Sequence, residues 1–240
     1  MNTELDRCAP AYQEDFAYSL DNRLILNWYP GRVLRLSSGS SMLDLGLGHG
    51  YTVQQFSESF ERYVVVDGSP QIIRQFREKF PHLRVEIQLG SFEDFHTEER
   101  FDNIVMGFIL EHVDDPSTIL RRYRQYLKPG GSLFVSVPNA EALNKRFGYA
   151  AGLIDSLTRL SPADLMLGHQ RLFTVASLRE LVEQEKYSVK TVEGIFLKPI
   201  TTGQIQTLRL SEPILNAMLE VGVGYPELCV GLLMQLESRA

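Results

Sequence analysis

Short apolar runs alternate with segments of helical period between residues 41 and 138. The runs are rich in Val, Ile and Leu and predict five strands, at residues 42–45, 63–66, 84–89, 103–106 and 133–137. Between these runs, apolar residues recur every three or four positions, as in helices that bury one face. This alternation is typical of βαβ units, so the sequence predicts an α/β protein with a parallel sheet.

Two of the predicted helices carry start signals. Ser69-Pro70 and Asp115-Pro116 each place a capping oxygen before a proline. Proline suits the first helical position because its missing N–H has no intrahelical partner there. Residues 128–131 read Lys-Pro-Gly-Gly, which predicts a helix stop and a turn into the next strand.

The flanking segments differ from this alternating core. Residues 1–40 predict a helical cap over the sheet, with aromatic residues at Tyr12, Phe16, Tyr18, Trp28 and Tyr29. Residues 139–185 show no strand pattern and predict a helical insertion after the fifth strand. Residues 186–240 predict two further strands, at 188–197 and 228–236, with a short helix near 211–222. We therefore expect one domain over residues 1–240, with its core at 41–138.

Composition narrows the classes of function. The chain has 240 residues, 24 Lys and Arg against 30 Asp and Glu, and a net charge of −6. This acidic balance argues against binding nucleic acid, which relies on clustered cations. No apolar run approaches the roughly 18 to 20 residues of a membrane-spanning helix, and the first ten residues lack the apolar region of a signal peptide. We expect a cytoplasmic protein without membrane contact.

A glycine-rich loop follows the first predicted strand. Asp44-Leu45-Gly46-Leu47-Gly48-His49-Gly50 has the spacing G-x-G-x-G, whereas dinucleotide sites have G-x-G-x-x-G. Glycines allow the backbone to pass close to a ligand at the carboxyl edge of the sheet. Asp44 would repel a pyrophosphate but could suit a ligand that carries an ammonium group. The loop therefore favours a ligand other than a dinucleotide.

A second acid, Asp67, closes the second predicted strand 21 residues after Gly46. A carboxylate at this position can accept hydrogen bonds from both hydroxyls of a ribose. Asp67 thus suits an adenosine ligand without a 2′-phosphate. A turn residue before Gly68 is the alternative.

Five motifs in order resemble the class I S-adenosylmethionine-dependent methyltransferases. They are residues 42–50, Asp67, residues 101–106, Leu110-Glu111-His112-Val113, and residues 127–131. Together they span about 100 residues, the whole predicted cofactor region. The Leu-Glu-His-Val run and residues 168–174 look most like small-metabolite methyltransferases of the ubiquinone-biosynthesis type.

The resemblance implies a fold, a cofactor and its contacts. The fold is a Rossmann-like, doubly wound sheet of seven mostly parallel strands with the last strand antiparallel. The cofactor is S-adenosylmethionine, which leaves as S-adenosylhomocysteine. Its implied contacts are Asp44, Gly46, Leu47 and Gly48 for the methionine portion, Asp67 and Gly68 for the ribose, Ser91 and Phe92 for adenine, and Gly107 and Phe108 for the amino group. An Asp commonly stands where this chain has Ser91, which departs from the family pattern.

The acceptor side is predicted less specifically. His169 and His112 are the candidate bases, and either is needed only if the acceptor must lose a proton. His169 could instead cap the helix that follows, and His112 with Glu111 could support the cofactor loop. His169 and Arg171 could also bind an anionic group of a small-molecule acceptor. Tyr18 and Asn139 are further candidates for contact with the acceptor, and Arg23 for contact with the methionine carboxylate. Core packing of Tyr18 and a turn at Asn139 are the alternatives.

Two other functions compete with methyl transfer to an oxygen or nitrogen of a small metabolite. One is a non-catalytic sensor or partner subunit that keeps only cofactor binding. The other is a nicotinamide-dependent dehydrogenase, against which the glycine spacing and Asp44 count. The sequence shows no cluster of His and acidic residues with metal-ligand spacing, so we assign no metal ligands. Relatives in the resembled family can use a divalent ion, so metal dependence stays open, as does the oligomeric state.

Overall fold

Seven strands form one mixed sheet in the computed structural model of the chain, which describes residues 18–239. The strands are β1 Ser41–Leu45, β2 Arg62–Asp67, β3 Glu86–Leu89, β4 Phe101–Gly107, β5 Leu127–Pro138, β6 Tyr187–Ile195 and β7 Gly231–Ser238. Their order across the sheet is β3-β2-β1-β4-β5-β7-β6. Only β7 runs antiparallel to its neighbours, which are β5 and β6. The predicted Rossmann-like topology is therefore confirmed.

Nine helices connect these strands within the described residues. They are α1 Ser19–Leu36, α2 Tyr51–Ser57, α3 Pro70–Lys79, α4 Pro116–Arg124, α5 Leu143–Ala150, α6 Pro162–Met166, α7 Val175–Gln184, α8 Thr202–Leu208 and α9 Glu212–Gly222. The insertion after the fifth strand holds α5, α6 and α7 and is helical, as predicted. The expected helix near residues 211–222 is α9. We did not predict α8.

Both faces of the sheet are covered. Alternate residues of one strand point to opposite faces. In β1, Leu43 and Leu45 belong to one buried apolar cluster and Met42 to the other. Apolar residues of α4 and α7 complete the first cluster, and those of α1, α2 and α3 complete the second. Among residues 18–239, no helix combines the length and the apolar character needed to cross a bilayer.

The predicted helix starts are confirmed by their capping bonds. The Ser69 side chain accepts a hydrogen bond from the Ile72 N–H at 3.1 Å, and α3 begins at Pro70. The Asp115 carboxylate accepts one from the Ser117 N–H at 3.0 Å, and α4 begins at Pro116. Each cap satisfies an N–H that the helix itself leaves unpaired. Both helices therefore start where their local sequence dictates.

The predicted role of residues 128–131 is wrong. They do not end α4, which stops at Arg124, but form the first part of β5. Gly130 has a φ of +77°, and the pairing of β4 with β5 shifts register between Phe101 and Asn103. The Pro-Gly-Gly sequence thus gives β5 an irregular beginning, because glycine adopts a positive φ without strain.

The cap helix α1 is tied to the far edge of the sheet. The Arg32 guanidinium donates two hydrogen bonds to the Glu193 carboxylate of β6, at 2.8 and 2.7 Å. Tyr29 and Val33 of the same helix are buried in the second apolar cluster. The predicted cap is therefore helical over α1, whereas Tyr12 and Phe16 lie outside the described residues.

The carboxyl ends of β1, β2 and β4 meet at one edge of the sheet. β1 is the central strand of this group, with β2 on one side and β4 on the other. The chain changes direction across the sheet at this position. The connection after β1 leads to β2 on one side, and the connection after β4 leads to β5 on the other. Open α/β sheets form their ligand crevice at such a position.

Candidate active site

A cavity of about 390 Å³ lies at this crevice. One side, here called the strand-loop side, consists of the loops after β1, β2, β3 and β4. The other, here called the helical side, consists of α1, residues 138–172 from the end of β5 through most of the insertion, and residues 198–202. Members of the strand-loop side include Asp44, Gly46, Leu47, Gly48, Asp67, Gly68, Phe92, Gly107, Phe108, Glu111 and His112, and members of the helical side include Tyr18, Asp21, Asn139, Asn144, Lys145, Asp164, His169, Lys198 and Thr202.

The loop after β1 takes a conformation that requires glycine. Gly46 and Gly50 have φ values of +86° and +80°. A Cβ at Gly46 would lie 3.0 Å from Cδ1 of Ile109, and one at Gly50 would lie 2.5 Å from the Phe80 ring. The Gly46 N–H donates to the Val66 carbonyl at 2.8 Å, which fixes the loop on β2. The bare backbone of Gly46 therefore faces the cavity at close range.

Asp67 connects the ends of β1 and β2. Its Oδ2 accepts the Leu47 N–H at 2.9 Å, and its Oδ1 accepts the Ser69 N–H at 2.8 Å. The residue is buried and lines the cavity. Because each carboxylate oxygen can accept more than one hydrogen bond, hydroxyl groups of a ligand can donate to the same carboxylate.

Asp44 lies buried at the end of β1. The Tyr63 hydroxyl donates to its Oδ2 at 2.7 Å. Burial raises the pKa of Asp44 to about 7, although the Tyr63 bond acts in the opposite direction. A positive group in the cavity would favour the ionised form.

The raised pKa of Asp44 gives a testable pH dependence. A carboxyl group whose pKa is higher in the folded state than its usual 3.8 destabilises the fold progressively as pH rises toward the folded value. Asp44→Asn removes this titration and can keep an acceptor for Tyr63. We expect the unfolding free energy of the variant, minus that of the parent, to increase between pH 4.5 and 7.5 in urea denaturation. A constant difference over this range would contradict the assignment.

Tyr29 packs directly against the end of β4. A Cβ added to Gly107 would lie 2.2 Å from the Tyr29 hydroxyl oxygen. The Tyr29 ring also contacts Phe108 edge to face, with the centroids 5.7 Å apart. Phe108 itself has a φ of +59°, which is uncommon for a non-glycine residue. The backbone at Gly107 and Phe108 therefore turns sharply around Tyr29, where it borders the cavity.

Glu111, His112 and His169 form a cluster at the junction of the two sides. One ligand atom from each lies within 4.8 Å of the others. The rings of His112 and His169 meet edge to face with centroids 4.8 Å apart. Nδ1 of His169 also lies 3.3 Å from Oδ1 of Asp164. The loop after β4 and the insertion therefore contact each other through titratable side chains.

Burial shifts the pKa of Glu111 and of His112 in opposite directions. Burial raises the pKa of Glu111 to about 8, and neither of its buried oxygens has a hydrogen-bond partner among residues 18–239. Burial, together with the neighbouring His169, lowers the pKa of His112 to about 4. His112 is therefore a neutral imidazole at pH 7, and Glu111 is largely protonated there, although the charge of Arg171 acts to lower its pKa.

The cluster could also hold a metal ion. Two imidazoles and one carboxylate are a donor set that suits divalent transition metals, and Asp164 beside His169 resembles the outer carboxylate that orients a histidine ligand. The sequence prediction of no metal-ligand spacing missed this cluster, because His169 is 57 residues from His112 and only the fold brings them together. That the chain has no metal ligands stays a prediction.

Most predicted site residues line the cavity, but three do not. Ser91 hydrogen-bonds to Asp94 in an exposed turn, Arg23 lines an adjoining pocket, and Arg171 lies outside the lining. The Arg171 guanidinium donates to the carbonyls of Leu110, Val113 and Asp114, so it holds the loop after β4.

Asn139 lines the cavity but has its hydrogen bonds elsewhere. Its amide nitrogen donates to the carbonyls of Pro226, Glu227 and Cys229, the last at 2.8 Å. Its Oδ1 accepts the Glu141 N–H at 2.9 Å. These bonds favour the turn role that the sequence left open.

A buried ionic group on the helical side was not predicted. The Lys198 ammonium pairs with Oδ2 of Asp21 and donates to the Thr202 hydroxyl at 2.8 Å. The Thr202 hydroxyl donates to the same Asp21 oxygen at 2.9 Å. Lys198 and Asp21 are only 3% and 6% exposed. Their separation of 177 residues leaves no local signal for this contact.

Tyr18 joins α1 to the insertion. Its hydroxyl lies 2.9 Å from Oγ of Ser161, the N-cap of α6. The ammonium of Lys198 lies 5.9 Å from the Tyr18 ring centroid. The structure therefore places Tyr18 beside the buried ionic group, on the helical side of the cavity.

A family profile described as a methyltransferase domain matches residues 18–191 of the chain. The chain belongs to this methyltransferase family. The match covers every residue of the strand-loop side described above. It confirms the resemblance to the class I S-adenosylmethionine-dependent methyltransferases that the glycine loop, Asp67 and Leu110-Glu111-His112-Val113 indicated.

Curated relatives agree with this family. The methyltransferase chain is 29% identical over 192 residues to the human mitochondrial ubiquinone biosynthesis O-methyltransferase, covering 75% of the chain and 50% of the relative. It is 26% identical to a ubiquinone biosynthesis O-methyltransferase of Xanthomonas oryzae, covering 68% of each. The chain thus spans about half the length of the human and bovine relatives.

Solved structures share the fold at low sequence identity. A Thermotoga maritima S-adenosylmethionine-dependent methyltransferase, described as a possible histamine N-methyltransferase, has a TM-score of 0.68 at 20% identity over 98% of both chains. The N-methyltransferase NodS of Bradyrhizobium japonicum, solved with S-adenosylhomocysteine, has a TM-score of 0.60 at 15% identity over 97% of both chains. Both confirm the fold of the methyltransferase chain.

Proposed function

We propose that the chain transfers a methyl group from S-adenosylmethionine to an oxygen or nitrogen atom of a small molecule. The observation that carries this proposal is the pair of buried carboxyl groups, Asp44 and Asp67, beside an exposed glycine backbone in one cavity. Relatives named ubiquinone biosynthesis O-methyltransferases support a small-molecule acceptor.

The residues of the strand-loop side fit this cofactor. Asp67 has lone pairs for ribose hydroxyls, and Gly46 leaves space where any side chain would meet Ile109. Asp44 can ionise next to a positive ligand because its pKa of about 7 is set by burial. When bound, S-adenosylmethionine supplies an electrophilic methyl group on a sulfonium, for transfer by in-line displacement.

The protein contributes positioning and a proton acceptor. Holding acceptor and methyl group in line can lower the barrier by roughly 7 to 11 kcal/mol. His169 borders the same cavity from the helical side, with its Nδ1 3.3 Å from Oδ1 of Asp164. We propose that its imidazole takes the proton that an acceptor loses.

Titration calorimetry with S-adenosylhomocysteine tests the cofactor assignment. We expect saturable binding with one equivalent per chain and no comparable binding of NAD. Binding of NAD without binding of S-adenosylhomocysteine would revive the dehydrogenase and reject the proposal. Cofactor binding without any methyl transfer to a broad acceptor panel would favour the sensor.

His169→Ala tests the proton acceptor. We expect turnover to fall on the order of 100-fold, in line with the contribution of a positioned base. The affinity for S-adenosylhomocysteine should change little, because His169 lies on the helical side. His96→Ala is the matched control, since its side chain is 72% exposed. Equal turnover of His169→Ala and the control would remove His169 from the reaction.

A further inference from the structure

Acidic and basic side chains both line the helical side of the cavity and its junction with the strand-loop side. Three carboxyl groups and two ammonium groups line this region among the described residues: Asp21, Glu111, Asp164, Lys145 and Lys198. The two neighbouring imidazoles belong to His112 and His169. Because burial raises the pKa of Glu111 to about 8, this carboxyl is largely protonated at pH 7, so the ionised groups of the two signs balance and the hydrogen-bond partners decide which ligand fits.

Both ammonium groups have oxygen partners within the protein. Lys198 pairs with Asp21 and donates to Thr202. Lys145 donates to the carbonyls of Leu157 and Arg159, each at 3.2 Å. Lys198 is thus paired with a carboxylate, whereas Lys145 uses two of its three N–H donors on backbone carbonyls.

Several buried oxygens around the same cavity have no such partner. Within residues 18–239, Oδ1 of Asp21, both carboxylate oxygens of Glu111 and Oδ1 of Asn144 accept no hydrogen bond. They belong to three different elements, namely α1, the loop after β4 and α5. Buried polar groups in proteins nearly always have partners, so these four oxygens call for a ligand that donates hydrogen bonds.

A metal ion alone would leave part of this pattern unexplained. The metal-competent cluster comprises Glu111, His112 and His169 and does not include Asp21 or Asn144. An ion held there would satisfy Glu111, yet the other two oxygens would stay without partners. A ligand with several N–H donors can reach separate acceptors at once.

We infer that the methyl acceptor is a small primary or secondary amine and that its nitrogen is methylated. This inference rests on the proposed function and deepens it. The amine enters as an ammonium whose N–H groups donate to the unpartnered oxygens. It then loses one proton to the His169 imidazole, gains the methyl group through a new N–C bond, and leaves the electron pair of the broken C–S bond on sulfur.

Matched acceptors test the inference. The intact chain and S-adenosylmethionine are assayed with 2-phenylethylamine, 2-phenylethanol and phenylacetate, with the same three functional groups on a butyl skeleton, and with catechol. Release of S-adenosylhomocysteine and the mass of the product are measured. We expect kcat/KM for the amines to exceed that of every other compound by at least about 10-fold.

Two variants connect this preference to the oxygens. Glu111→Gln and Asn144→Leu are each expected to lower kcat/KM for the amines by about 10-fold while they retain the parent's affinity for S-adenosylhomocysteine. Asn144→Leu keeps the test informative if Glu111→Gln fails to fold. Asp155→Asn, an acid of the same insertion with a 72% exposed side chain, is the matched control and should behave as the parent.

Three results would overturn the inference. They are a preference for the alcohols, carboxylates or catechol, no turnover of any amine by a chain that binds S-adenosylhomocysteine, and turnover that EDTA abolishes and Zn²⁺ restores with catechol as the best acceptor. The last would assign Glu111 to a metal. Failure to bind S-adenosylhomocysteine at all would instead reject the proposed function.

Discussion

Asp67→Ala is expected to weaken the binding of S-adenosylhomocysteine by at least about 100-fold. Hydrogen bonds to a charged group contribute about 1.5 to 3 kcal/mol each, and the proposed ribose contact has two of them. The Asp67 carboxylate also accepts the N–H groups of Leu47 and Ser69, so its loss loosens the glycine loop as well. Titration calorimetry of parent and variant measures the effect.

Asp67→Asn separates these two contributions. The amide keeps one acceptor oxygen but loses the charge and one of the two acceptors, so we expect an intermediate loss of affinity. Asp94→Asn, in the exposed turn that Ser91 caps, is a matched control without expected effect. Parent-like affinity of Asp67→Ala would refute the ribose assignment, provided that circular dichroism shows a folded variant.

Lys198→Met is expected to lower the unfolding free energy by about 3 to 5 kcal/mol. Removing one partner of a buried ion pair leaves the other charge buried without compensation, and Asp21 is 6% exposed. For a chain of this size, such a loss corresponds to a decrease in Tm of roughly 6 to 20 °C. Thermal and urea denaturation measure it.

Two further variants define the origin of that loss. Lys190→Met removes a lysine that pairs with Glu237 on the surface, where its side chain is 54% exposed, and should cost at most about 1 kcal/mol. The double variant Asp21→Leu/Lys198→Met removes both charges and should recover much of the stability. Equal stability of Lys198→Met and Lys190→Met would show that the buried pair contributes no more than the exposed one.

The sequence predicted the strand-loop side well because its signals are local. Gly46, Gly48 and Asp67 stand at the ends of predicted strands, and parallel strands bring those ends to one edge. The capping residues Ser69 and Asp115 act on their own helices. Each of these features depends on a few residues that are neighbours along the chain, so the sequence alone can reveal it.

The helical side depends on contacts between distant segments. Nothing near Lys198 indicates that it meets Asp21, and nothing near His169 indicates Glu111. Helix α8 is different, because Thr201 and Gln204 form a capping box that the sequence displays. That signal could have predicted α8, whereas the ionic contact required the folded chain.

The helical side is assembled from pieces that lie far apart along the chain. Tyr18 meets Ser161 across 143 residues, and Asp21 meets Lys198 across 177. Replacing the insertion alone with that of a relative that uses another acceptor would therefore change one of the three segments that form the helical side. It would also remove the contacts between the insertion and α1. Chimeras that change substrate choice must exchange the cap helix, the insertion and the segment at residues 198–202 together.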